Sequence, residues 1–365
     1  METWTFEASK AIARRGCSVV VYAYKTRSHP VDEVIDGVEV RRFGCPLVSG
    51  LFQDMGPFPY LPRIPMLLFL PFRLISDHDV QVLFVTYIPH LLAAPLTKLM
   101  GYRAIPIFHG FYNAAEATAF KGGLRGLVML FTEYLALRMP VARCIAVSNV
   151  VKDLLGSRGV SLRRVNVIRG AVNMNEFDSV NSPKASNPQV CFVSRMTPER
   201  RFDDLLEAFM TVREKLPDVK LVAVGDGPMF NQWRQLVKER GVSDAVKLTG
   251  ALYGAEKVRV MKGSHVMVHP SLREGMSLSI LESLACSTPV IAYDIPEVRE
   301  QLTLTGGGIL VQPRDVQALA ESTISLLRDH ARRESLSAQG RRYVETNLTW
   351  DQVAHELLRV VTENA

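Results

Sequence analysis

Cysteine is scarce in this 365-residue chain: five residues, at 17, 45, 144, 191 and 286, odd in number and scattered, with no C-x-x-C pair. That excludes a disulfide-stapled scaffold and a thiolate metal cluster, and fits reduced thiols serving as small apolar core residues. Long hydrophobic runs are missing too. The most apolar stretches, Leu61 to Ile75 and Val80 to Met100, are interrupted by prolines or fall short of the roughly 20 clean residues a bilayer span needs. Low-complexity tracts and internal repeats are not seen, and no basic stripe is interleaved with aromatics, which disfavours nucleic acid as a partner. Met1 leads into a charged amphipathic stretch rather than a signal peptide. The expected setting is the cytoplasm.

What is present is an ordinary globular composition, 47% hydrophobic and 22% charged, long enough for two or three domains. The net charge of +6 is unevenly placed. Residues 1–180 carry 20 Lys/Arg against 14 Asp/Glu, while residues 181–365 carry 23 of each. A basic first half suits an anionic acceptor or an anionic membrane face; a general solubility charge explains it equally well.

Along the chain, strands and helices alternate. Trp4, Ala8, Ala11 and Ile12 fall on one face of a helix over Met1 to Arg15. Strands follow at Cys17 to Tyr24, Val38 to Phe43, Val80 to Thr86, Ala104 to Phe108, Cys144 to Val147 and Val165 to Ile168, with Ser148 capping a helix from Asn149. The proline- and aromatic-rich stretch Gly44 to Pro65, with a short apolar helix Met66 to Ile75, reads as a cover over the core, with a membrane-interface role as the alternative. Asp77-His78-Asp79 looks like a metal-binding D-x-D but reads better as a turn entering a strand. His109, followed by Gly110 at the carboxyl end of a strand, is a candidate for a cleft. Ser179 to Pro188 is polar and aperiodic, a linker. Beyond it come strands Gln189 to Ser194, Val219 to Val224, Val246 to Gly250 and Gly308 to Val311, and helices Phe202 to Leu216, Asp315 to Leu327 and Trp350 to Thr362.

The most informative stretch is Ser264 to Ala292: a buried strand, a turn holding Glu274, Gly275, Met276 and Ser277, a helix carrying Glu282, and a second strand. Open α/β sheets bind ligands beyond the carboxyl ends of their strands. A helix start there offers unpaired N–H groups and a positive dipole end to an anion. The plainer alternative has Ser279 and Glu282 forming a capping box and Glu274 a solvated turn residue.

Glu274 and Glu282 resemble the Glu-x7-Glu signature of the retaining glycosyltransferases of family 4, and the resemblance covers about residues 2 to 360. It implies an α/β, GT-B fold of two Rossmann-like doubly wound domains: residues 1–178 for the acceptor, a linker 179–188, residues 189–348 for the donor, and a crossover helix 349–365 returning to the first domain. It also implies roles. Glu282 would bind the nucleotide ribose, Glu274 the sugar hydroxyls, and the amides of Gly275, Met276 and Ser277 the sugar and diphosphate. Arg195 and Arg200 would neutralise the diphosphate, Gly225 would let the backbone approach base or ribose, and His109 would stand near the transferring sugar. No metal and no cofactor are implied; the nucleotide-diphosphate sugar is the substrate, and the acceptor is an anionic, lipid-linked, glycan or small molecule. A lipid-linked acceptor would draw the first domain to the inner face of the cytoplasmic membrane as a peripheral protein.

Several positions depart from the family pattern. Arg200 stands where relatives have Lys, a planar fork for a compact ammonium, and Arg201 stands where they have Gly. Arg169 to Phe177 differs from the family's Pro-Asn-Gly-Val-Asp run, so no site is carried over to it. The first strand and glycine-rich turn that precede the first helix in relatives are not seen, although Glu2 matches the glutamate at that helix's start, and an incomplete start of the first domain is expected. These departures keep two other readings in view: a non-catalytic GT-B binding or scaffold protein, and another GT-B enzyme such as a nucleotide-sugar epimerase or a phosphorylase.

Overall fold

A computed structural model of the chain describes residues 2–24, 30, 32–43, 82–85, 101–110 and 142–363, with some of those between 127 and 139. The Asp77-His78-Asp79 turn, the stretch Gly44 to Ile75 and Cys45 lie outside the described residues. The chain divides into two compact units, Met1–Arg169 with Trp350–Ala365, and Gly170–Thr349. The division falls at Arg169, and the polar segment 179–188 belongs to the second unit. There Lys184 Nζ donates to Ser264 O at 2.6 Å and to Thr288 Oγ1 at 2.9 Å, and Ala185 N–H donates to Gly263 O.

In the first unit, helix α1 (Glu2–Arg14) buries the face that its spacing predicts, Trp4, Ala8, Ala11 and Ile12. Burying each large apolar side chain stabilises the fold by about 1.5–3 kcal/mol. That face meets the last helix, Trp350–Thr362, where Trp4 and Trp350 pack edge to face with centroids 6.1 Å apart. Strands β1 (Val20–Tyr24), β2 (Asp32–Ile35) and β3 (Val38–Phe43) form one sheet in the order β1-β3-β2. Strands β4 (Val82–Val85), β5 (Arg103–Phe108), β6 (Cys144–Ala146) and β7 (Val165–Val167) form a second, all parallel. Strand β2 is not anticipated above. Its signal was the Asp36-Gly37 pair, whose φ angles of 52° and 80° make the left-handed turn that two-residue hairpins use. Ser148 Oγ does accept from Val151 N–H at 3.2 Å, capping helix α2 (Asn149–Ser157).

The second unit is a six-stranded parallel sheet. Its strands are β8 (Gln189–Val193), β9 (Lys220–Val224), β10 (Val246–Leu248), β11 (Val266–His269), β12 (Val290–Tyr293) and β13 (Gly308–Val311), in the spatial order β10-β9-β8-β11-β12-β13. This is the doubly wound order, and the strand sequence reverses between β8 and β11. Being covered on both faces, β11 and β12 are continuously buried rather than alternating. One face packs Phe192, Phe202 and Trp233 as a ring cluster, with Phe202 and Trp233 centroids 5.1 Å apart. The other packs Ile280, Leu281 and Leu284 of the helix after β11 against Met267, Val290 and Ala292. Cys144, Cys191 and Cys286 are buried free thiols, as small apolar core residues should be.

Candidate functional site

The reversal point in the second unit places two loops side by side at the carboxyl edge of the sheet. One follows β8 and carries Arg195 to Arg201; the other follows β11 and carries Ser271 to Ser277. Leu272 N–H donates to Glu199 O at 2.9 Å, tying the loops together. The first loop is also seated against the turn after β9. Met196 N–H donates to Asp226 O, and Gly225 and Gly227 carry φ of 147° and 154°. A Cβ at either glycine would overlap backbone, the Ser194 carbonyl oxygen in one case and that of Met196 in the other. Glycine is thus required for this close approach, and the requirement is internal packing.

Glu274 is buried at 9% exposure, so it is no solvated turn residue. Its Oε1 receives two donors: the Arg200 guanidinium, in an ion pair, and His269 Nε2 at 2.7 Å. Arg200 also donates to Ser271 Oγ at 2.9 Å and to Arg273 O at 3.1 Å. Arg195, by contrast, is exposed, with no ion pair among the described residues.

Helix α7 (Leu278–Ala285; helices are numbered through the chain, with Met174–Asp178 as α3, Phe202–Lys215 as α4, Phe230–Glu239 as α5 and Gly254–Gly263 as α6) begins at Ser277, whose side chain makes no cap bond. Ser277 Oγ instead pairs with Ser279 Oγ at 3.0 Å, and Glu282 pairs with Lys257 Nζ of α6 at 2.7 Å. The capping-box alternative is therefore overturned: the helix starts two residues before Ser279, and Glu282 turns to a lysine. Burial raises the Glu282 pKa and Lys257 opposes the rise. Ser277 N–H is taken by Gln301 Oε1 at 3.2 Å, and Gln301 Nε2 donates to Ser277 O at 2.8 Å. The amides of Gly275 and Met276 have no partner among the described residues, while the Met276 sulfur accepts from Gly170 N–H at 3.1 Å.

Arg201 adopts φ 49°, ψ 46°, the left-handed conformation that glycine favours. Its side chain turns into the first turn of α4, pairing with Asp203 and Asp204, and Asp204 accepts from Tyr293 OH at 2.8 Å. His109 belongs to the first unit. Its Nε2 is buried with no hydrogen-bond partner among the described residues, and its ring meets Trp4 edge-on at 5.5 Å. Burial pushes its pKa down to about 3, so the ring is neutral. His269, Gln301 and Lys257 are neighbours of Glu274, Ser277 and Glu282 that no motif spacing in the sequence marks. A histidine ending the otherwise apolar run Val266 to Val268 was the one signal available.

An open doubly wound sheet with two loops at its reversal point, arginines on one and the buried carboxylate Glu274 on the other, is a Rossmann-like α/β unit of the kind that the GT-B class pairs in its two domains. Comparison with known proteins makes this specific. Residues 173–343 match the family described as glycosyl transferases group 1, and residues 1–176 match glycosyltransferase family 4. The chain belongs to the family 4 glycosyltransferases, with the two Rossmann-like α/β domains of the GT-B fold. Glycosyltransferases of this kind take a nucleotide sugar as substrate and use no cofactor.

One relative is a GDP-mannose-dependent monoacylated alpha-(1-6)-phosphatidylinositol monomannoside mannosyltransferase of Corynebacterium glutamicum, 30% identical over 48% of this chain and 47% of that protein. That match thus spans about half the length of the relative. A GDP-mannose-dependent alpha-(1-6)-phosphatidylinositol monomannoside mannosyltransferase of Mycobacterium tuberculosis is 26% identical over 78% of this chain and 76% of that one. Among solved structures, sucrose-phosphate synthase of Thermosynechococcus elongatus superposes with a TM-score of 0.81 at 22% identity, covering 99% of this chain and 92% of that one. The Anabaena protein HepE in complex with UDP and glucose gives 0.75 at 16% identity, over 99% and 95%. At these identities the structural likeness is one of fold.

Proposed function

We propose that this protein transfers a sugar from a nucleoside-diphosphate sugar to an acceptor, with retention at the anomeric carbon. The observation that carries the reading is the pairing of Arg200 with Glu274 just before the start of α7, at the reversal point of the sheet, with Arg195 on the same loop as Arg200. Stabilising charge on the departing diphosphate is the main catalytic task, and fixed cations beside a helix N-terminus supply it in a scheme that needs no metal. In this reading Arg195 and Arg200 face the diphosphate, with the amides of Gly275 and Met276. Ser277 contributes through its hydroxyl, since its N–H is engaged by Gln301. Glu274 accepts from sugar hydroxyls and Glu282 from the ribose diol. His109, a neutral imidazole, is retained as a catalytic candidate in the acceptor domain.

An acceptor bearing phosphate or a lipid anchor fits the basic first half of the chain, and the phosphatidylinositol-directed relatives support it. Such an acceptor implies peripheral association with the inner face of the cytoplasmic membrane. Among the described residues no helix is long and apolar enough to cross a bilayer.

The test is release of nucleoside diphosphate from GDP-mannose and from UDP-glucose in the presence of phosphatidylinositol or inositol phosphate, with the product anomer read by NMR. Glu274→Ala should slow transfer by about a hundredfold or more while nucleotide still binds. Nucleotide binding with no transfer to any acceptor would favour a binding protein instead, and an inverted product would end the retaining mechanism.

A further inference from the structure

We propose that His269 is a positioning residue for the transfer step: its Nε2–H pins one oxygen of Glu274 and leaves the other for the sugar. This rests on the reading above, in which Glu274 binds sugar hydroxyls. His269 ends β11, a strand paired on both sides, and is 1% exposed. The rest of that strand, Val266 to Val268, is apolar and fully buried. A buried imidazole there costs stability unless a partner compensates it, and the partner is Glu274 Oε1, 2.7 Å from Nε2.

The protonation state follows from the geometry. A carboxylate only accepts, so Nε2 carries the hydrogen and Nδ1 is bare. Nδ1 is buried without a hydrogen-bond partner among the described residues, which leaves a second proton nothing to meet. Burial, and then the nearby Arg200 cation, pushes the ring's pKa down to about 3. His269 is thus a neutral donor fixed on Glu274 across the physiological range.

Arg200 and His269 converge on the same oxygen, Oε1, and Oε2 has no hydrogen bond among the described residues. The two donors differ in what else they do. Arg200 is shared with Ser271 Oγ and the Arg273 carbonyl, and in the proposed function it also faces the diphosphate. His269 serves Glu274 alone. When a diphosphate draws on Arg200, the histidine keeps Oε1 in place and Oε2 aimed outward.

The experiment compares His269→Leu, His269→Gln, Glu274→Gln and the double variant His269→Leu/Glu274→Gln, using GDP-mannose and UDP-glucose as donor probes. Turnover is measured at saturating donor, and GDP and UDP binding by calorimetry. Loss of a hydrogen bond to a charged group should lower kcat by about tenfold to a hundredfold in His269→Leu, with nucleotide affinity changed by less than about twofold. His269→Gln, which can place an N–H where Nε2 stands, should recover most of that loss. In the Glu274→Gln background His269→Leu should add little, because the group it positions is already altered.

A full additional loss in that background, or wild-type turnover in His269→Leu, would overturn the proposal. Unchanged turnover in Glu274→Gln would instead remove the role given to Glu274 itself. A readout independent of turnover is the imidazole N–H proton resonance. It should appear far downfield in the wild type and vanish in both Glu274→Ala and His269→Gln; persistence in Glu274→Ala would overturn the contact.

Discussion

Lys257 Nζ of α6 lies 2.7 Å from Glu282 Oε1 of α7, an ion pair between two helices that flank the carboxyl edge of the sheet. Both side chains are mostly covered, at 21% and 14% exposure, so the pair is more than a surface contact. Burial raises the Glu282 pKa, and Lys257 opposes the rise. If the ionised carboxylate receives the ribose diol, Glu282→Ala should weaken GDP or UDP binding by about tenfold or more. Lys257→Met should weaken it less at pH 8 and more at pH 5.5, because without the lysine the carboxyl takes up its proton at a higher pH. Calorimetric titrations at the two pH values check this, and pH-independent affinity in Lys257→Met would refute it.

Arg201 tests whether a departure from the family pattern weakens the site. Its backbone holds the left-handed conformation at a cost of roughly 1–2 kcal/mol for a residue with a Cβ. Its pairs with Asp203 and Asp204 offset much of that cost. Arg201→Gly should therefore change stability by no more than about 1 kcal/mol, and donor affinity by less than about twofold, since the side chain is already turned into α4. Urea unfolding and a donor KM measure both. A large gain in donor affinity would mean that the arginine obstructs the phosphate site after all.

Much of the fold was legible because the chain reports its own periodicity. The buried face of α1 and the bounds of the last helix, Trp350–Thr362, follow from 3.6-residue spacing. The second unit's strands are short apolar runs set between helices, which is how a covered parallel sheet reads. Helix His330–Asn347 was not anticipated because it is polar nearly all round: of its 18 residues only Gly340 and Val344 are buried. In the candidate site, Glu274, Glu282 and Arg195 stand out by loop position and spacing as residues to propose. Their partners do not. Arg200 and Glu274 are 74 residues apart, Lys257 and Glu282 are 25 apart, and no local pattern encodes pairings made by strand order.

The two histidines of β11's neighbourhood make the second unit sensitive to acid. His269 is held down to about 3 by burial and then Arg200, and His265 to about 4 by burial, then Arg333 and other nearby cations. An imidazole in the unfolded chain titrates near 6.5. Between that value and the folded ones the unfolded state binds more protons, so stability is complete above about pH 6.5 and falls as the pH drops through 6 and 5. Each such histidine contributes a slope of at most about 1.4 kcal/mol per pH unit. Urea unfolding at pH 7, 6 and 5 should show the loss, with His269→Gln less steep than the wild type. Parallel curves would mean that His269 accepts a proton readily in the folded state.

Gln301 of the helix Pro296–Thr305 holds the turn before α7 through both backbone polar groups of one residue, Ser277. Its Oε1 accepts from Ser277 N–H at 3.2 Å, and its Nε2 donates to Ser277 O at 2.8 Å. The side chain is 3% exposed, so neither bond can be replaced by water without opening the packing. Gln301→Leu would leave the buried Ser277 N–H unpaired and remove one of the two donors to the Ser277 carbonyl, whose other is Leu281 N–H, at a cost of about 1–3 kcal/mol. It would also free the residue at which α7 begins, so the donor KM should rise together with the loss in stability. Gln301→Glu separates the two bonds: the carboxylate still accepts from Ser277 N–H but repels its carbonyl, so it should be nearly as unstable as the leucine variant. A Gln301→Leu protein with a wild-type melting midpoint and donor KM would show that the turn holds its shape through Met276 and the packing of α7 alone.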